Sequence, residues 1–277
     1  LTQQSMDVLA QQNRAADWDE LTCATVCEHH TGLTNVTDCT VSLPSQGTVT
    51  GAGDGSVACT GQQVVMCEGR RPLGHRELGV STVSVGASLA AMAHLELASI
   101  AAFEELATQL QHHWAPRTLI ARCEAAAADE RRHAALLIGH ARDAGAAVAP
   151  AERDEHSATL FDIALHNAVE GCVHEAWAAY VATERARRAS SPALCATFEI
   201  IATDETRHGD LAWDIHNWLL TKLTDDETIA VLAAQSAALA ALPDIAATQV
   251  GLPQELGNMS ENSARQAAKR FAQELAI

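Results

Sequence analysis

Asp129-Glu130-Arg131-Arg132-His133 and Asp204-Glu205-Thr206-Arg207-His208 repeat one pattern, Asp-Glu-x-Arg-His, within a chain of 277 residues. Residues three apart on an α-helix share a face. Glu130 with His133, and Glu205 with His208, can therefore each present a carboxylate oxygen and an imidazole nitrogen to one cation. A lone glutamate precedes each copy: Glu96 lies 34 positions before Glu130, and Glu170 lies 35 before Glu205. Two Glu-x-x-His pairs and two single glutamates form a six-ligand set that can hold two metal ions between four helices. Hard carboxylates with one imidazole per metal suit iron or manganese, whereas a closed tetrahedral zinc site wants fewer oxygens.

The neighbours of these residues have parts to play. A ligating imidazole usually donates its second N–H to a carboxylate, which fixes tautomer and ring orientation. The expectation is a crosswise arrangement in which Asp129 serves His208 and Asp204 serves His133, with Arg132 and Arg207 neutralising that outer layer. His174 lies four residues after Glu170 and shares its face, as a seventh ligand or a proton relay. Glu175 is turned further round and reads as a solvated or supporting group. Against all this stands an exposed charged stripe, the usual meaning of one Glu-x-x-His on a helix. The matched repeat argues against that, as does Glu96 itself, set in Ala93-His94-Leu95-Glu96-Leu97-Ala98. An unpaired buried carboxylate there would cost several kcal/mol.

Long helices must position these groups. Helical patterning starts near Ser84 and predicts a first helix to about His113, then a second from Pro116 to about Ala144. Gly145 and Pro150 mark a linker. A third helix, capped by Ser157, should reach Arg188, and Ser191-Pro192 should open a fourth that runs to Leu220. Thr224-x-x-Glu227 is a capping-box pattern for a fifth helix to about Leu242, Pro243 to Asn258 is loop-like, and a tail helix covers Glu261 to Leu275. Aligning Glu96 with Glu170 brings Phe103 onto Trp177 and the two motifs within one residue of register, so the two hairpins read as an internal repeat. Abundant alanine and few aromatics fit close helix packing. The expected fold is all-α: a four-helix bundle over residues 80–222 with extra C-terminal helices over 223–277. The alanines beside the ligands leave either close helix contact or space for a substrate walled by Ile100, Phe103, Trp177 and Ile201.

Residues 1–79 differ in kind. Cys23, Cys27, Cys39, Cys59 and Cys67 crowd a segment rich in Thr, Ser and Gly, while Cys123, Cys172 and Cys195 are scattered over helical sequence. A short helix is expected around Met6 to Trp18, and short strands at Gly47–Thr50 and Gln63–Met66, in an otherwise irregular segment. The cysteines suggest disulfide staples and an oxidising compartment, periplasmic or secreted, with a cytoplasmic location as the alternative. A zinc site using Cys23, Cys27, His29 or His30 and a later cysteine is the rival, weakened by the absence of paired Cys-x-x-Cys knuckles. The net charge of −17 argues against nucleic acid and anionic membrane surfaces as partners. No apolar run approaches the ~18 residues of a membrane span.

Over residues 84–220 the sequence resembles the ferritin-like di-iron superfamily, and its double Asp-Glu-x-Arg-His most resembles the hydroxylase subunits of bacterial di-iron monooxygenases. The resemblance implies a ferritin-like bundle, two Fe ions (or Mn/Fe), and Glu96, Glu130, His133, Glu170, Glu205 and His208 as ligands. It implies an oxidoreductase that activates dioxygen or peroxide to oxidise a small organic substrate, served by an electron-donor partner and compatible with a homodimer. The Cys-rich prefix departs from that family, most of whose oxygenases are cytoplasmic. A ferroxidase or iron-handling protein, and a structural bundle that holds metal, are the other two expectations.

Overall fold

The computed structural model describes residues 33–42, 56–63, 69–75, 84–153, 157–248 and 253–275. The chain forms two compact units, one of Leu1–Val64 with Glu77–Thr82, the other of Val65–Arg76 with Val83–Ile277. In the first, β1 (Leu33–Ser42) and β2 (Ser56–Gln63) form an antiparallel pair that sets Cys39 opposite Cys59, with a bulge between Thr34 and Asp38. The expected irregular prefix is thus a strand ladder over these residues, where alternating Thr, Val and Ser suit a pleated surface. The expected helix at Met6–Trp18, the strand at Gly47–Thr50 and the zinc alternative at Cys23, Cys27 and His29 or His30 lie outside the described residues. So does most of the expected disulfide framework.

The second unit is helical. Helix α1 (Val85–His112) begins where Ser84 Oγ accepts from the Ala87 amide at 3.1 Å, and α2 (Arg117–Asp143) follows a turn closed by Ala115 N–H to Leu110 O. Helix α3 is composite: α-helical over Leu160–His166, π-helical over Asn167–Glu175, and α-helical again over Ala176–Arg188. Its cap is Thr159, whose hydroxyl and amide exchange hydrogen bonds with Asp162 in a capping box, so the helix starts later than Ser157. Helix α4 (Pro192–Leu220) has Ser191 as cap and proline at its first position. Helix α5 (Asp225–Thr248) opens on the Thr224–Glu227 box and runs through Pro243, past the expected stop at Leu242. Helix α6 is Glu261–Leu275.

Helix α1 packs along α2, the last part of α3 packs along α4, and α2 and α4 also meet, so the two hairpins face each other through their motif helices. One apolar cluster joins Phe103, Leu110, Cys123, Ile163, Leu211 and Ile215; full burial of such side chains is worth about 1.5–3 kcal/mol each. A second joins Val173, Trp177, Leu239, Leu242 and Ala268, so α5 and α6 share a core with α3. The C-terminal helices therefore belong to the same unit as the bundle helices, and residues 69–75 belong with them. Among the described residues two helices are, by length and composition, apolar enough to cross a membrane, against the expectation from the sequence. Alanine accounts for this: α1 is the core helix that carries Glu96, and α5 is the more exposed of the two.

Candidate metal centre

Glu96 of α1, Glu130 and His133 of α2, Glu175 of α3, and Glu205 and His208 of α4 converge in the interior. The four carboxylates are 0–1% exposed. Their atoms form two overlapping groups. Glu96, Glu130, His133 and Glu205 make one, Glu130, Glu175, Glu205 and His208 the other, and within each the donor atoms lie within 4.8 Å of one another. Glu130 and Glu205 belong to both. His133 Nδ1 stands 3.6 Å from Glu96 and 3.5 Å from both Glu130 and Glu205. His208 Nδ1 stands 3.2 Å from Glu130, 3.6 Å from Glu205 and 3.8 Å from Glu175. Glu96 Oε2, both oxygens of Glu130, Glu175 and Glu205, and Nδ1 of both histidines are buried without a hydrogen-bond partner. This is a buried carboxylate–imidazole group that could hold a metal ion.

The outer nitrogens point the other way. His133 Nε2 lies 3.0 Å from Asp204 Oδ2, and His208 Nε2 lies 3.4 Å from Asp129 Oδ2. This is the crosswise arrangement expected from the sequence. Arg132 and Arg207 each pair with both aspartates and close a ring of charge over the motif helices.

Glu170 is not in the group. It pairs with Arg71 at 3.3 Å and His174 at 2.9 Å, and is 15% exposed. His174 is likewise turned away from the group. Glu175 stands in the group in place of the expected Glu170, so the expectation of Glu170 as a ligand, of His174 as a seventh ligand or proton relay and of Glu175 as a solvated or supporting group gives way to Glu175 as the donor from α3. In a regular α-helix, positions five apart sit about 140° apart round the axis. The π-helical stretch changes that phase by taking an extra residue into each turn. Asn167 and Cys172 brace the stretch by donating to the Ala212 carbonyl of α4. Gly171 was the one sequence clue: a Cβ there would meet Arg70 Nη1 at 2.6 Å and Ala212 Cβ at 2.8 Å.

Arg70 was not anticipated at all. It is 2% exposed, donates to Asn167 Oδ1 at 3.1 Å, and lies 3.7 Å from Glu175 Oε2. Its neighbour Gly69 has φ +58°, and a Cβ there would strike Ser99 Oγ at 2.1 Å. Beside the group lies a crevice lined by Met92, Leu137, Ala178, Ala182, Phe198 and Ile201, with Glu96, Glu205, Gly69 and Arg185 at its polar edge. As it stands it has room for about one water-sized molecule. Of the expected walls, Ile201 lines it, while Phe103 packs edge-on against His208 with centroids 5.1 Å apart. Cys123 is buried, and burial pushes its thiol up to about 12, so it is an inert core residue.

Charge is shared unevenly across the group. Burial and the neighbouring Glu130 charge hold the Glu96 carboxyl well above the usual carboxylate range. Burial acts upward on Glu130 too, but contacts with Glu96, His133 and His208 outweigh it and hold that carboxylate well below its usual range. Burial raises Glu175 to about 8 despite the opposing charges of Arg70 and His208. Burial disfavours protonated imidazole, yet the surrounding glutamates raise His133 strongly and push His208 up to about 12. In the absence of a cation these shifts all favour the protonated forms of both imidazoles, Glu96 and Glu175, and a cation binding there competes with those protons.

No family model, curated protein or solved structure matches the chain. What defines its class is internal: an all-helical unit around a buried set of glutamates and histidines able to hold metal.

Proposed function

We propose that the protein is a non-haem two-metal oxidoreductase, di-iron or Mn/Fe, that activates dioxygen or peroxide and oxidises a small organic substrate. The observation that carries this reading is the set of unpartnered donor atoms on Glu96, Glu130, His133, Glu175, Glu205 and His208. Four carboxylates at 0–1% exposure need compensating positive charge, which protons provide in the metal-free group and paired cations would provide once their donor atoms are deprotonated. Glu130 and Glu205, which belong to both groups, would hold the ions together with Glu96, His133, Glu175 and His208. Two redox metals held there would supply Lewis acidity and electron transfer for oxygen chemistry, with reducing equivalents coming from an electron-donor partner.

The chain's own residues do the rest. Asp204 and Asp129 keep the histidines in the tautomer that offers Nδ1 inward. Leu137, Phe198 and Ile201 keep bulk water from the edge where Glu96 and Glu205 meet the crevice. The apolar lining favours an oxidase or oxygenase over the iron-handling alternative, which needs a polar route for ions. The crevice as it stands has room for about one water-sized molecule, so an organic substrate would have to displace lining side chains.

The cysteine staples of the prefix belong to the same proposal. Residues directly opposite on antiparallel strands have Cα atoms about 4.5–5.5 Å apart, inside the range a disulfide spans, and Cys39 and Cys59 are so placed. A disulfide there would call for an oxidising compartment, which supports an extracytoplasmic location.

The test starts from metal content in protein purified without added metal, expected at two Fe, or one Mn and one Fe, per chain. Rapid mixing of the reduced, iron-loaded protein with dioxygen should then give a transient absorption and consume oxygen. Loss of both signals would defeat the redox reading. Oxygen consumption that only oxidises iron, with no organic product, would favour iron handling.

A further inference from the structure

The two ends of the metal group are chemically alike but not electrostatically equal. Each has one histidine, one end glutamate and the shared pair Glu130 and Glu205. Among the described residues, only the Glu175 end has a buried arginine within ion-pair distance of its glutamate. Arg70 lies 3.7 Å from Glu175, and among the described residues no guanidinium is within ion-pair distance of Glu96. Arg185 lines the crevice near Glu96, but its side chain is held by Asn258 at 2.9 Å, by Met92 Sδ and over the Phe198 ring.

Arg70 also has little freedom to leave. Its guanidinium donates to Asn167 and sits against Gly171, where no side chain would fit. The preceding residue, Gly69, has a left-handed backbone pressed on Ser99. A fixed positive charge beside one cation site, in an interior screened far less than water, lowers affinity there.

We infer that Arg70 makes the two metal positions unequal: a divalent cation fills the Glu96–His133 end first, and the Glu175–His208 end second and more weakly. This rests on the two-metal reading above. Arg70 is a positioning residue in this scheme, since its guanidinium lies beside Glu175 and competes with a second cation for the carboxylate. Stepwise loading then allows unlike metals to be sorted between the ends.

Mutual repulsion of two cations would split their affinities anyway. The decisive readouts are therefore which end fills first and what sets the gap. Metal-free protein would be titrated anaerobically with Mn(II) alone, followed by equilibrium dialysis and electron paramagnetic resonance. Two ions are expected. His133→Ala should abolish the tight step, and His208→Ala should abolish the weak one. Arg70→Met should narrow the gap by at least about tenfold, and Arg70→Lys should leave it nearly as wide. The histidine variants decide the order without touching Arg70, so the inference remains exposed even where Arg70→Met does not fold. Loss of the tight step in His208→Ala, or a gap unchanged in folded Arg70→Met, would overturn it while leaving the two-metal reading intact. Failure of the wild-type protein to bind any Mn(II) would overturn both.

Discussion

His133 of α2 reaches Asp204 of α4 at 3.0 Å, so the imidazole that faces Glu96 is aimed by a carboxylate from the opposite hairpin. Its counterpart, His208 with Asp129, is longer at 3.4 Å, and Asp129 is more exposed than Asp204, 16% against 6%. Loss of an orienting partner of a metal-bound histidine typically lowers metal affinity 10–100-fold. Asp204→Ala should fall at the upper end of that range and Asp129→Ala at the lower end. Mn(II) dissociation constants for the two variants check this, and equal losses would contradict it.

Glu175 and Glu170 give the sharpest contrast between site and scaffold. Glu175→Gln removes a charge from the second group alone, so that variant should bind one cation tightly and lose the second. Glu170→Gln should keep both cations. Its cost falls on the contacts with Arg71 and His174, about 1–3 kcal/mol for hydrogen bonds to a charged group that is mostly buried. Metal stoichiometry and thermal melts of the two variants, side by side, test the assignment.

Much of this was legible because helices write their faces into sequence. Ser84, Ser191 and the Thr224–Glu227 pair announced three helix starts, and the twin Asp-Glu-x-Arg-His motifs announced not only ligands but the crosswise aspartates. Glu170 matches Glu96 in its distance from the following motif, and a constant α-helical phase through α3 turns Glu175 away from that face. The π-helical stretch breaks that phase, and it is set by tertiary contacts of Asn167 and Cys172 with Ala212 that no local pattern encodes. Arg70 was missed for the same reason: it is remote in sequence and enters the interior because Gly69 and Gly171 make room. Pro243 read as a helix stop, yet α5 continues through it, held by the core of Leu239, Leu242 and Ala246.

The buried protons give the metal-free protein a distinctive pH response. Glu175 and Glu96 are raised, so their stabilising contribution is complete below the ordinary carboxylate range and is lost as pH climbs, for Glu175 through about 8. His133 and His208 are raised too, so their contribution is complete below the ordinary imidazole value of about 6.5 and declines above it. Glu130, Glu170 and Asp204 are lowered and act oppositely, but their contribution is already full above the ordinary carboxylate range. Between pH 6.5 and 8 the metal-free protein should therefore melt at steadily lower temperature. Cations require deprotonated ligands, so their affinity rises over the same interval. The gap in melting temperature between Mn(II)-loaded and chelator-treated protein should widen with pH, and a gap that narrows would contradict the assigned protonation.

Two glycines test whether the seat of Arg70 is as tight as the geometry implies. At Gly171 a methyl group would meet Arg70 Nη1 at 2.6 Å, Ala212 Cβ at 2.8 Å and Asn167 Oδ1 at 3.0 Å, contacts that force movement on three sides. Overpacking of this kind costs about 1–3 kcal/mol. Gly139, mid-way along α2, has nothing within 4 Å of the same position, so Gly139→Ala should stabilise by roughly 0.5–1 kcal/mol through helix propensity alone. Denaturant midpoints should thus move in opposite directions. Metal binding adds a second readout, because Gly171→Ala displaces Arg70 from its place beside Glu175 and should change the affinity of the second cation, whereas Gly139→Ala should change neither. If Gly171→Ala matched Gly139→Ala in both stability and Mn(II) binding, the close fit of Arg70 against the π-helical stretch would be wrong.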